Sequence, residues 1–199
     1  TVDVAGLKTF FPSCMTKIGV VGDRAGGTHT SMACRPIMCV VNFMARAYRP
    51  PWDTAAMSAK ILDTLFSTAG ILPAVAAQDA VVLNAWADAA VDAGIPALEL
   101  FLRGEGAEAA VVAAIVTLRT SHPTLSIGAG SVYDAATARR MADAGATFLV
   151  SPITDPATGA LAQEAGIDWL PGAFTPTEIA LAERSGARYV KLFPAAAIN

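Results

Sequence analysis

Residues 57–199 are predicted to form an α/β fold, a (β/α)8 TIM barrel that is incomplete, with about six of the eight βα units present. Three observations carry this prediction. Short apolar runs alternate with stretches whose apolar residues recur at helical spacing. Most of those helices end at a glycine, which tolerates the left-handed turn that closes a helix. The next apolar run then follows within one or two residues, at roughly twenty to twenty-eight residues per unit. Such alternation demands a parallel sheet, because each helix returns the chain to start the next strand in the same direction. Right-handed crossovers that never reverse curl the sheet toward a barrel. An open doubly wound sheet is the alternative.

The elements follow in order. Met57-Ser58-Ala59-Lys60 opens an amphipathic helix bearing Ile61, Leu62, Leu65 and Phe66, which runs into a first strand at Gly70–Val75. A helix over Asp79–Ala93 ends at Gly94, and Ala97–Leu102 is the second strand. A helix from Ala107 to Arg119 leads to a third strand at Leu125–Gly130. Asp134 caps a helix over Asp134–Ala144, stopped by Gly145, before a fourth strand at Thr147–Ser151. Pro156–Ala165 ends at Gly166 and Asp168–Leu170 is the fifth strand. Thr175-Pro176-Thr177-Glu178 has the form of a capping box with proline in the first turn, opening Thr175–Ser185. The sixth strand is Arg188–Phe193, ended by Pro194.

Residues 1–56 do not share the rhythm. They mix Gly, Pro, Met, Cys and Arg without sustained periodicity, and Arg49-Pro50-Pro51-Trp52 reads as a break. They are read as an irregular leader, not native or disordered, with Met57 as the natural start. Cys14, Cys34 and Cys39 all fall there, at spacings that fit neither a redox pair nor a zinc module. Unrelated thiols in a reducing compartment suit a cytoplasmic protein.

Composition narrows the function classes. The chain is 54% hydrophobic and 16% charged, with a net charge of −3, which fits a buried α/β framework. It carries no basic stripe for nucleic acid and no apolar run long enough for a membrane span. No Ser/His/Asp triad, metal-spaced cluster or Walker loop occurs, and GAGSV lacks the spacing of a dinucleotide fingerprint. His29 falls in the leader, and His122 precedes Pro123 on the barrel side away from the chemistry.

The chemistry concentrates on two residues. Lysine occurs only at positions 8, 17, 60 and 191, so Lys191 is alone after the first helix. It lies at the C-terminal end of the sixth strand, where catalytic groups of βα barrels project. Alternation puts Tyr189, Lys191 and Phe193 on one side, with Val190 and Leu192 on the other. An amine held among apolar groups loses its proton more readily and can attack a ketone. The plainer possibility is a lysine whose stem packs while its head reaches solvent.

Glu99 interrupts the apolar second strand, sharing a face with Ala97, Phe101 and Arg103 while Leu98, Leu100 and Leu102 take the other. A carboxylate is rarely buried without a partner. Glu99 and Arg103 would stand about 13 Å apart along the strand, with Arg103 nearer the rim and room for a substrate between. A structural ion pair is the competing reading. Gly128-Ala129-Gly130-Ser131 offers close backbone approach and a hydroxyl, and Ser151-Pro152 and Pro171-Gly172 line the next two loops.

In order and spacing, GILPAV, ALELFLRG, IGAGSV, FLVSP, LPGAFTPTE and VKLFPA resemble the 2-keto-3-deoxy-6-phosphogluconate/4-hydroxy-2-oxoglutarate aldolase family over residues 58–199. The resemblance implies a class I aldolase on a (β/α)8 barrel, typically a homotrimer, with neither metal nor organic cofactor. It implies a small-molecule keto acid as substrate. By the same resemblance Lys191 is the Schiff-base lysine and Glu99 the general acid/base. Arg103 and Ser131 would hold the pyruvate carboxylate end, and Pro152 and Phe193 would line the pocket. Phe101, Gly104 and SPI in place of SPG depart from the family pattern and point to a divergent subgroup.

The chain ends just after the sixth strand, and the missing two βα units are those that supply the family's glycine-rich phosphate loops. The 199-residue chain is therefore expected to be poorly soluble or inactive by itself. Two competing readings stand beside the aldolase. One is another phosphate-binding βα barrel, an epimerase or a thiamine-phosphate synthase-like enzyme. The other is a truncated barrel acting only as an interaction domain.

Overall fold

The computed structural model describes residues 61–77 and 79–195. The leader 1–56, the proposed start at Met57, the three cysteines and His29 lie outside the described residues. The described elements are α1 (Ile61–Thr68), β1 (Ala74–Ala76), α2 (Ala80–Asp92), β2 (Ala97–Phe101), α3 (Ala107–Ser121), β3 (Ser126–Gly130) and α4 (Ala135–Asp143). They continue with β4 (Phe148–Val150), α5 (Pro156–Glu164), β5 (Asp168–Leu170), β6 (Gly172–Ala173), α6 (Pro176–Arg184) and β7 (Lys191–Leu192).

Local chemistry sets the helix ends. Asp79 accepts the Val81 and Val82 N–H groups, Asp134 that of Thr137, and Asp155 those of Ala157 and Thr158, so each carboxylate satisfies amides that the first turn leaves unpaired. Thr175 and Glu178 form a complete capping box at α6. The Glu178 carboxylate also accepts the Phe174 and Thr175 N–H groups, which hold its pKa below the usual value.

Strands β1 to β5 pair in parallel in sequence order, and β6 pairs in parallel with β7. A doubly wound sheet would reverse its strand order and divide its helices between two faces. Here the order never reverses, and each helix from α2 to α6 packs on the next in one layer. That is the wall of a barrel.

Register separates the two faces. Val75, Leu100, Ala129, Leu149 and Trp169 form one row, turned to the helices. They join Leu83, Ala87, Val111, Ile115, Leu118, Met141 and Leu161 in one apolar core. The Trp169 indole N–H donates to Ser151 Oγ at 3.0 Å, so its polar edge is satisfied inside that layer. The other row is Ala74, Glu99, Gly128, Phe148 and Asp168, which faces the barrel interior.

The sixth strand differs from expectation. Instead of a run over Arg188–Phe193, only Lys191–Leu192 pair, and they pair with Gly172–Ala173. Pro171 has no N–H, so the ladder from β4 stops at Leu170 and the fifth extended segment divides into β5 and β6. The Pro171 carbonyl instead accepts the Lys191 N–H at 2.8 Å, and the Phe193 N–H donates to Ala173 at 3.1 Å. The strand does not extend to Arg188 and Tyr189, whose side chains meet α1. Tyr189 donates to Asp63 at 2.7 Å and meets Phe66 edge-on at 4.8 Å, and Arg188 pairs with the same Asp63.

Those contacts fasten α1 to the N-terminal ends of the strands. Asp168, the first residue of β5, accepts the Leu62 N–H at 3.0 Å. Leu62 and Leu65 are buried beneath. Leu65→Ala is expected to lower unfolding free energy by about 2–5 kcal/mol in urea titration, while Val81→Ala, on the exposed side of α2, stays within about 0.5 kcal/mol.

Candidate active site

The inner face of β2 presents Glu99 with only 5% of its surface exposed. Leu98 and Leu100 on either side pack fully into the helix layer, which fixes the strand's orientation and commits Glu99 to the interior. Burial raises its pKa above the usual 4.5, and the positive charge of Lys191 opposes that rise.

Lys191 is held by its backbone, through the N–H donated to Pro171 and register with Gly172. Its side chain is half-buried, with Nζ 5.2 Å from the centre of the Phe193 ring. Phe193 itself is 41% exposed. Pro152 follows β4 and lies with its backbone directly on Gly172, where a Cβ would overlap it. The Thr154 hydroxyl donates to the Gly172 carbonyl at 3.0 Å and holds the two loops together. Pro152, Gly172 and Lys191 are thus neighbours in space, brought together from three loops and strands.

Ser131 comes one residue after β3 and is half-buried, with a positive φ of 61° that turns the chain sharply at the strand's end. The next residue, Val132, returns to the sheet by donating to Val150 at 3.1 Å. Arg103 stands apart from the others. Pairing on β2 ends at Phe101, so the alternation that would carry Arg103 onto the face of Glu99 stops two residues short. Arg103 is exposed on the loop that begins there, followed by Gly104 at φ 91°. Pro152, Gly172, Lys191 and Phe193 are thus linked by contacts, Glu99 lies on the inner face of β2, Ser131 follows β3, and Arg103 is exposed on the loop after β2.

His122 is occupied at the far end, capping α3 and pairing with Asp88 at 2.9 Å. Among the described residues no three or more His, Cys, Asp or Glu side chains group to hold a metal ion, and no helix is long and apolar enough to cross a membrane.

The sequence places Gly128 and Gly130 in the third strand and reads them as offering close backbone approach, but not what approaches them; both are buried within β3. A Cβ at 128 would overlap the Phe148 ring, and a Cβ at 130 would overlap the Glu99 carboxylate. The legible signal was the alternation Ser-Ile-Gly-Ala-Gly, which puts two residues without side chains on the face beside Glu99.

The family model for KDPG and KHG aldolase matches residues 62–199. The 2-dehydro-3-deoxy-phosphogluconate aldolase of Pseudomonas aeruginosa is 38% identical over 134 residues, covering 67% of this chain and 59% of that protein. The KHG/KDPG aldolase of Escherichia coli K12 is 31% identical over 147 residues, covering 73% of this chain and 64% of that one. A crystal structure of KDPG aldolase from Legionella pneumophila, with pyruvate captured as a covalent carbinolamine, superposes with a TM-score of 0.57 at 28% identity. That match covers 63% of this chain and 59% of the other. The chain spans about three fifths of the length of these relatives. On the family match and the shared barrel wall, the chain belongs to the KDPG and KHG aldolase family.

Proposed function

We propose that the protein is a class I aldolase that cleaves a 2-keto-3-deoxy sugar acid, phosphorylated or not, or 4-hydroxy-2-oxoglutarate, to pyruvate and an aldehyde. One observation carries the reading. A carboxylate buried inside a barrel strand has a lysine from a distant strand as the charge that acts on it. A purely structural acid in that position would be expected to hold its partner in a direct ion pair. None is seen between Glu99 and the described cations.

In this reading the Lys191 amine adds to the C2 ketone to give a carbinolamine, which loses water to form an iminium. The iminium accepts the electron pair released when the C3–C4 bond breaks. Glu99 takes the C4 hydroxyl proton as the aldehyde leaves. The Glu99 carboxyl then returns that proton to C3 of the enamine, and water releases pyruvate and the free amine. Arg103 and Ser131 hold the carboxylate end, a role suited to a guanidinium and a hydroxyl. Pro152 and Phe193 line the pocket. The capture of a carbinolamine in the Legionella relative supports the first step. The reading extends to a cytoplasmic homotrimer with residues 57–199 as its barrel portion.

Two outcomes follow. Treated with pyruvate and borohydride, the protein gains one reduced pyruvyl group that peptide mapping places on Lys191. An undiminished adduct in Lys191→Ala would refute the assignment. The second concerns stability. Because burial raises the pKa of Glu99 in the folded state, that state binds the proton more tightly than the unfolded chain between the two pKa values. Stability is then lost as pH rises above the usual 4.5. Glu99→Gln should accordingly melt at a higher temperature than the parent at neutral pH, the gap closing below that value. The same variant should turn over about 10²–10⁴-fold more slowly.

A further inference from the structure

The carboxylate of Glu99 does not lie where its backbone does. Its Cα is in register with Gly128, yet its carboxyl group lies against Gly130, about 6.6 Å further toward the C-terminal end of the sheet. The space level with Gly128 is taken. The Phe148 ring, from β4 on the other side of β3, occupies it, as the overlap of a Cβ at 128 with three ring carbons demonstrates. Ala74 on β1 flanks Glu99 in the same row with a single methyl. The side chain is therefore turned upward by an aromatic ring below and received by bare backbone above.

We propose that Gly130 is a positioning residue, whose missing Cβ leaves the seat in which the Glu99 carboxylate rests, with Phe148 on Gly128 closing the space beneath it. The proposal rests on the aldolase reading, and it deepens that reading by naming what aims the acid/base group. The upward turn brings the carboxylate toward the end of the barrel at which Ser131 and Pro152 follow their strands.

The requirement at 130 is one of space rather than of backbone conformation. Glycines with positive φ lie elsewhere in the chain, and Gly130 is not among them, so alanine fits its backbone. Nor can the strand move aside. Gly130 is in register with Phe101, its carbonyl accepts the Leu102 N–H at 3.0 Å, and the following Val132 N–H is bound to β4. With β3 held from both sides, the atoms that give way are those at the end of the Glu99 side chain. A methyl group at 130 then displaces the carboxylate while the sheet persists.

Exchange of pyruvate methyl protons with deuterated water tests this, since it needs only the lysine, the acid/base group and pyruvate, and no aldehyde. The order of events separates the two readings. If Glu99→Gln exchanges as fast as the parent, the acid/base assignment itself fails, before any glycine variant is considered. If Glu99→Gln is slow, Gly130→Ala is expected to slow exchange on the order of a hundredfold, while borohydride still traps pyruvate on Lys191. In the Glu99→Gln background the same glycine change should cost no more than a few-fold. Full multiplication of the two losses would assign Gly130 a separate structural role and overturn the proposal. Shortening the acid clears the added methyl, so Glu99→Asp combined with Gly130→Ala should exchange faster than Gly130→Ala alone. That comparison holds even where Gly130→Ala folds poorly, and a double variant no faster than the single one overturns the proposal too.

Discussion

A carboxylate enclosed in an apolar barrel is the constraint on which the rest of the site depends. Removing Glu99 from water disfavours its charged form, and within the described residues the opposing influence is the charge of Lys191. Ala74 and Gly130 leave the room that an acidic side chain needs inside a packed interior, while the Phe148 ring fills the space over Gly128.

The two ends of the sheet divide the work. Polar contacts at the N-terminal ends join elements distant in sequence. Asp168 holds the first turn of α1, Asp63 gathers Tyr189 and Arg188, and Asp88 meets His122. At the C-terminal ends the loops after β3, β4 and β6 are short, and glycine or proline brings their backbones close. Stability and chemistry are thereby separated along the strands, as in βα barrels generally.

Much of this was legible in the order of residues, and what was not has a common cause. Asp134 and Thr175 announced their helices because a cap acts on amides two or three residues away. Leu98 and Leu100 announced the direction of Glu99 because strand alternation is equally local. The sixth strand is shorter than expected, and nothing near Tyr189 reveals that Asp63 and Phe66, over 120 residues earlier, meet its side chain. The meaning of Gly128 was hidden in the same way, since Phe148 reaches it from the next strand. Pro171 could have been read, for a residue without an N–H cannot continue a ladder on both sides.

The most direct test of the account is a carbon-13 NMR titration of the Glu99 side-chain carboxyl, in the parent protein and in Lys191→Met. The account predicts a midpoint above the usual 4.5 in the parent and a further rise once the lysine charge is removed. A midpoint at the ordinary carboxylate value, unmoved by the loss of Lys191, would contradict it.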